Sequence, residues 1–399
     1  MRAARLRGTP GLDPGWLHGS PRVNARVFHN GHVLTARGFE RDACVVVEDG
    51  HIVAVLHGEP PSGGERIDLQ GGWLVPGFID VQVNGGGGVL FNNDTSVEGI
   101  AAIGRAHRGF GTTGFLPTLI SDDAEVMRRA ITATRDAIAQ GVPGVLGLHL
   151  EGPYLAPARR GTHDAGKFRV PDADEIALAT ALDNGITLIT LAPERVPLAS
   201  IRALVERGAI VCAGHSAASH EEARAGLDAG ITGFTHLYNA MSPLQGREPG
   251  MVGAALEDAG SWCGVIVDGV HVHPASLKVA IAAKPRGKVL LVTDAMPMVG
   301  GATPSFDLYG ETITAVDGVV RNAAGALAGS ALDMASAVRN TVRLLGLPLD
   351  EACRMASQYP AAFLGLGGER GQVAPGYRAD LVLLDAGVDV RRCWIGGDE

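Results

Sequence analysis

Val145-Leu-Gly-Leu-His-Leu-Glu151 is a short apolar run that ends in a carboxylate, and it reads as a buried strand with a polar residue at its C-terminal tip. The same pattern recurs on both sides. Gly77–Val83 and Thr113–Thr118 precede it; Ile186–Leu191, Ala209–Ala213, Ile231–Thr235, Trp262–Val267 and Val289–Thr293 follow. Helical patterns lie between most of these runs, among them 122–140, 172–182, 197–207, 219–229 and 274–283, several with Ser, Asp or Pro near the start and Gly after the end. Eight such alternations predict an α/β fold of the (β/α)8 TIM-barrel type, with a doubly wound open sheet as the alternative. The polar tips favour the barrel. Run three ends in Glu151, run five in His215, run six in His236, run seven in Asp268 and run eight in Asp294. In a barrel all of these ring the C-terminal mouth, where barrel enzymes keep their chemistry. Helical segments over 332–345 and 350–364 complete the barrel region.

The two ends of the chain share a different texture. Ala25–Leu34, Ala43–Gly50 and His51–Leu56 are short β-like runs, with Asp49-Gly50 as a hairpin signal. Ala379–Asp385 and Val388–Gly396 repeat that texture. Residues 25–75 and 372–399 are therefore expected to fold together into one small β-sandwich domain, with 76–371 forming the barrel. Residues 1–24, rich in Arg, Gly and Pro and lacking an apolar stretch, read as a flexible extension without a signal peptide.

Bulk properties narrow the function. Hydrophobic residues make up 46% and charged residues 19%, as in a packed globular protein. A net charge of −9 argues against nucleic acid or anionic membrane as a partner, and an anionic substrate would need a local basic pocket. No run is long enough for a membrane span. Five scattered cysteines form no disulfide framework, which points to a reducing cytoplasm.

One carboxylate and two imidazoles at three strand tips, Glu151, His215 and His236, are a donor set suited to Zn²⁺ or Fe²⁺ with a position left for water. Such a metal activates water and polarises a carbonyl. Asp294 could take a proton from the attacking water and pass it to a leaving group; standing alone, it would read as a turn or helix-cap residue. His163, in the loop after run three, could donate to a developing oxyanion, or be an ordinary loop histidine.

Eight motifs occur in one order: Pro76-Gly-Phe-Ile-Asp-Val-Gln-Val-Asn-Gly85, Leu148-His-Leu-Glu-Gly-Pro-Tyr154, Arg160-Gly-Thr-His163, Ala213-Gly-His-Ser216, Thr235-His-Leu-Tyr-Asn-Ala-Met241, Gly246-Arg-Glu-Pro-Gly250, Asp268-Gly-Val-His271 and Val292-Thr-Asp-Ala295. Together they closely resemble the N-acetylglucosamine-6-phosphate deacetylases of the amidohydrolase superfamily, from about residue 25 to the C-terminus. The resemblance implies that Glu151, His215 and His236 are metal ligands, that Asp294 is general base and then general acid, and that His163 helps polarise the acetyl carbonyl. It implies that Asn239, Ala240 (through its backbone N–H), His271 and Arg247 meet the sugar phosphate. Arg247 would reach in from the neighbouring subunit of a homodimer, and would supply the local positive charge.

Many relatives in the superfamily carry His-x-His at the end of strand one and a bridging lysine, which hold a second metal. Here the matching positions are Gln82 and Asn84, and none of the four lysines sits at a matching strand end. Neutral amides are poor ligands for Zn²⁺ or Fe²⁺. One divalent metal per subunit is therefore expected, Zn²⁺ first and Fe²⁺ as the alternative. The implied reaction converts N-acetyl-D-glucosamine 6-phosphate to D-glucosamine 6-phosphate and acetate. The runner-up is a deacetylase preferring N-acetylgalactosamine 6-phosphate. A cyclic-amide hydrolase such as a dihydroorotase is disfavoured by the missing His-x-His and lysine. A catalytically dead scaffold is disfavoured because the ligands and the acid are all present.

Overall fold

The computed structural model describes residues 25–399; the expected extension at 1–24 lies outside the described residues. Eight strands form one parallel sheet in sequential order: β1 (Phe78–Val83), β2 (Thr112–Ile120), β3 (Gly147–Glu151), β4 (Ile186–Leu191), β5 (Ile210–Ala213), β6 (Gly233–Phe234), β7 (Trp262–Val265) and β8 (Val289–Leu291). β8 then returns to β1. Val83 and Ala295 form a parallel bridge, and the Asp294 N–H donates to the Gln82 carbonyl at 3.0 Å. A sheet whose first and last strands meet is a barrel, which removes the open doubly wound alternative. The strands read as nearly continuous apolar runs because both of their faces are covered, and every residue of β1, β2 and β3 is buried. The pairing of β2 with β1 shifts register between Phe115 and Pro117, where proline has no N–H to offer the ladder.

Eight helices surround the barrel: α1 (Val97–Arg108), α2 (Ala124–Ala139), α3 (Ala173–Ala179), α4 (Leu198–Glu206), α5 (His220–Asp228), α6 (Gly250–Glu257), α7 (Pro274–Ala283) and α8 (Met334–Leu345). Their starts follow local chemistry. Ser219 and Glu222 make a reciprocal capping box at α5, and Asp333 caps α8. The expected helix over 350–364 is instead two, α9 (Leu349–Ala356) and α10 (Gln358–Phe363). Pro360 has no N–H for the Ala356 carbonyl, so a continuous helix breaks at Ser357. Among the described residues, no helix is long and apolar enough to cross a membrane.

A small β-sandwich stands beside the barrel and draws on both ends of the chain. One sheet orders its strands as 51–57, 43–48, 26–29 and 65–68; the other as 390–394, 381–384, 73–76, 32–35 and 38–41. The expected run Ala25–Leu34 is two strands, one in each sheet, because Asn30 turns the chain at φ 58°. Phe28 and Trp394 meet edge to face at 5.0 Å between the sheets.

A further element was not anticipated. Ser305–Leu308, Glu311–Val316 and Val319–Arg321 form a three-stranded antiparallel insert after β8. Phe306, Leu308, Ile313 and Val320 pack on Leu90, Ile120 and Met296 near the barrel mouth. Tyr309-Gly310 and Asp317-Gly318, all at positive φ, make its two turns.

Two positions test this framework. Gly147 pairs with Ile186, and a β-carbon there would lie 2.0 Å from the Ile186 carbonyl oxygen. Gly147→Ala should push β3 from β4 and cost about 3 kcal/mol or more in denaturant unfolding. Asp80 sits in the β1–β8 seam, where its carboxylate accepts from the Gln82 N–H and from the N–H and hydroxyl of Thr293. Burial pushes its pKa up to about 7, against the pull of those donors and with the charge of Asp294 adding to the rise. A carboxyl raised above its unfolded value near 3.9 stabilises the fold less as pH climbs from about 4 to 7, by at most about 1.4 kcal/mol per pH unit. Asp80→Asn should therefore flatten that decline, matching the parent protein near pH 4 and exceeding it at pH 8 in chemical unfolding of metal-free protein.

Candidate metal centre and active site

Glu151 ends β3, while His215 and His236 lie just beyond β5 and β6. Their ligand atoms converge: His236 Nε2 is 2.9 Å from Glu151 Oε1 and 3.1 Å from His215 Nε2, and His215 Nε2 is 3.3 Å from the same carboxylate oxygen. Among the described residues these three form the group able to hold a metal ion. His215 Nδ1 lies 2.9 Å from the Arg159 carbonyl, which can only accept. Its proton is therefore on Nδ1, and Nε2 offers a lone pair 3.3 Å from a carboxylate oxygen. Two lone-pair donors held so close fit a cation between them. Burial alone would raise Glu151, but the neighbouring imidazoles of His236 and His215 outweigh it and hold the carboxyl well below its ordinary range.

Asp294 follows β8 and comes beside this group through two amides. Asn84 Nδ2 donates to its Oδ1 at 2.6 Å, and Gln82 Nε2 donates to Oδ1 at 3.2 Å and to Glu151 Oε1 at 3.0 Å. Gln82 and Asn84 thus brace two carboxylates with N–H groups. Burial and the like charge of Glu151 push the Asp294 pKa up to about 6; a bound dication works in the opposite direction. His215, His236 and Asp294 all have left-handed backbone, at φ 48°, 34° and 53°. Each such conformation costs on the order of 1–3 kcal/mol outside glycine, and residues held this way cluster at functional sites.

His163 reaches the same place from the loop after β3. Its Nε2 is 3.8 Å from Glu151 Oε2, and burial followed by the neighbouring His215 lowers its pKa to about 3, so the ring is neutral. Asn239, Ala240 and His271 line the same cavity of about 470 Å³ with these residues. Asn239 donates to the His236 carbonyl at 3.0 Å, and His271 Nδ1 is 2.6 Å from Asp268 Oδ2.

Arg247 is not brought to this cavity. It is exposed on the loop between β6 and α6 and is absent from the lining. Arg159 and Arg160 do line it, a basic pair to which the sequence assigned no role. Met296, Ala326, Leu327 and Gly329 complete one wall, from the chain around the unanticipated insert. The signal for the arginines was their place directly before Gly161-Thr-His163; nothing in the local sequence marks the apolar wall.

Comparison with known proteins agrees with this geometry. A family model described as the amidohydrolase family matches residues 73–398. An N-acetylgalactosamine-6-phosphate deacetylase of Shewanella sp. (strain ANA-3) is 43% identical over 92% of this chain and 93% of its own. The N-acetylglucosamine-6-phosphate deacetylase of Homo sapiens is 40% identical over 84% and 85%. The crystal structure of N-acetylglucosamine-6-phosphate deacetylase from Pasteurella multocida superposes with a TM-score of 0.91 at 36% identity, covering 94% of this chain and 99% of that one. On these matches the chain belongs to the amidohydrolase family, among its N-acetylated amino-sugar-phosphate deacetylases.

Proposed function

We propose that the protein hydrolyses N-acetyl-D-glucosamine 6-phosphate to D-glucosamine 6-phosphate and acetate. The observation that carries this reading is the convergence of Glu151, His215 and His236 beside Asp294 in one cavity that His163 and His271 also line. Glu151, His215 and His236 would hold one divalent ion, Zn²⁺ first and Fe²⁺ as the alternative. Such an ion supplies Lewis-acid polarisation of the carbonyl and lowers the pKa of water at the site. The remaining work falls to side chains. Asp294 takes the proton of the attacking water while His163 donates to the oxygen that gains charge. Asp294 then gives the proton to the nitrogen as the C–N bond breaks, because an amine leaves poorly as an anion. Both amide braces of Asp294 go to Oδ1, which keeps Oδ2 for this proton.

Asn239, Ala240 and His271 would take the phosphate end, with His271 oriented by Asp268. Arg247, exposed and away from its own subunit's cavity, suits the role of a residue lent to the partner in a homodimer. Gln82 and Asn84 spend their N–H groups on carboxylates, which supports a single metal. Five buried, unpaired cysteines among the described residues fit a reducing cytoplasm. The 43% identity to a galactosamine-type relative favours one second reading, a preference for N-acetylgalactosamine 6-phosphate.

Acetate release from N-acetylglucosamine 6-phosphate should be lost on chelation and restored by Zn²⁺. A higher kcat/KM for the galactosamine epimer, assayed in parallel, would select the second reading. Asp294→Asn should keep the fold and the metal but lose about 10²–10⁴-fold in kcat; near-parental turnover would remove Asp294 from its role. Elemental analysis should find close to one tightly held ion per chain, and two would overturn the single-metal assignment.

A further inference from the structure

Two histidines enter the site with opposite backbone partners. His215 Nδ1 faces a carbonyl, that of Arg159, and so carries its proton on Nδ1. His163 Nδ1 faces a donor instead. The Ser121 backbone N–H lies 3.3 Å from it, and the Ser121 hydroxyl is 2.8 Å from the same nitrogen. A backbone N–H only donates, so His163 Nδ1 must accept and the ring proton must sit on Nε2.

We infer that Ser121 is a positioning residue: it fixes His163 as the Nε2–H tautomer, making this imidazole a hydrogen-bond donor to the acetyl oxygen and keeping it out of the metal's ligand set. The second half follows from distance. His163 Nε2 stands 3.8 Å from Glu151 Oε2, next to the ligand group, and a bare Nε2 there would offer a further metal donor. Protonated, it has no lone pair for a metal.

Ser121 is itself closely held. It lies just past the end of β2 and is buried. Its hydroxyl fits because the next residue after Glu151 is glycine: a β-carbon on Gly152, at φ +86°, would come 2.3 Å from Ser121 Oγ. On its other side Tyr309, at the first turn of the insert, donates its hydroxyl to the Ser121 carbonyl at 2.6 Å. One residue thus links the insert to the imidazole: Tyr309 anchors its carbonyl, its N–H faces His163 Nδ1, and its hydroxyl lies 2.8 Å from that nitrogen and 3.5 Å from the Glu151 carbonyl.

This inference rests on the reading of His163 as oxyanion donor, and the two are tested separately. Ring ¹⁵N spectra of the zinc-loaded full chain, with His163 assigned by its disappearance in His163→Gln, should show an unprotonated Nδ1 and a protonated Nε2. A protonated Nδ1 in an enzyme that releases acetate overturns the inference and leaves the proposed function intact. Failure of the parent enzyme to release acetate removes the function, while the spectrum still reports the tautomer. Ser121→Ala keeps the backbone N–H but loses the hydroxyl; kcat should fall about tenfold with KM within about twofold, as for an interaction strengthened in the transition state. Unchanged kcat, or a loss in KM alone, overturns it. Tyr309→Phe should lower kcat about threefold, and the two changes together should cost less than the product of the single losses, because both act through one residue. A fully multiplicative loss would separate Tyr309 from His163.

Discussion

Where β8 returns to β1, the buried Asp80 carboxylate takes hydrogen bonds from Gln82 and Thr293, and the Asp294 N–H reaches back to the Gln82 carbonyl. This seam closes the barrel, and it also sets the positions of three residues at the mouth. Gln82 on β1 and Asn84 just past its end flank Val83, and both side chains reach Asp294 on the other side of the seam. An open sheet would leave these residues at opposite edges, far from Glu151. The active-site carboxylates are therefore neighbours because the barrel is closed, and Gln82, which donates to both, couples the seam to the metal group.

Holding two carboxylates and three imidazoles in one buried place is electrostatically costly, and the structure distributes that cost. Glu151 stays ionised beside His215 and His236; Asp294, buried and facing the charge of Glu151, is the one that rises towards neutrality. The contrast fits the proposed roles of Glu151 as ligand and Asp294 as proton carrier, although both are strand-tip carboxylates. The left-handed turns at His215, His236 and Asp294 add strain at the same points. A strand that simply continued would aim its next side chain by alternation; with these turns all three residues line the same cavity. The continuous apolar core around β1 to β8 over-determines these conformations.

Much of this was legible in the chain. The strand runs could be read because buried parallel strands are nearly continuous apolar segments, and the strand-tip residues because each run ends abruptly at one polar side chain. Two helices escaped notice for local reasons: glycines at 99 and 104 weaken the helical signal of the amphipathic α1, and α6 is buried on nearly all sides and shows no polar stripe. The insert could have been found, since Asp317-Gly318 is the same hairpin signal that marked Asp49-Gly50. The role of Ser121 could not. It depends on a loop histidine 42 residues later, on a glycine that leaves space and on a tyrosine 188 residues away, none of which share a local pattern. His149 shows the converse. It shares a strand face with Glu151, yet it turns to Thr190 and Thr118 inside the barrel and stays clear of the metal group.

The sandwich has a consequence for synthesis on the ribosome. Its second sheet places Leu381–Leu384 between Trp73–Pro76 and Val390–Trp394, so the strand that leads into β1 pairs on one side with a segment made after the whole barrel. At ordinary translation speeds the intervening stretch of roughly 300 residues takes on the order of 15–60 s to emerge. Throughout that interval Phe28, Val33 and Leu74 lack Leu381, Leu383 and Trp394, the apolar partners that cover them in the finished protein. The barrel can begin to assemble while its companion waits half-built, and the nascent chain carries an uncovered β surface, open to chaperones or to a neighbouring nascent chain, until its last strands arrive.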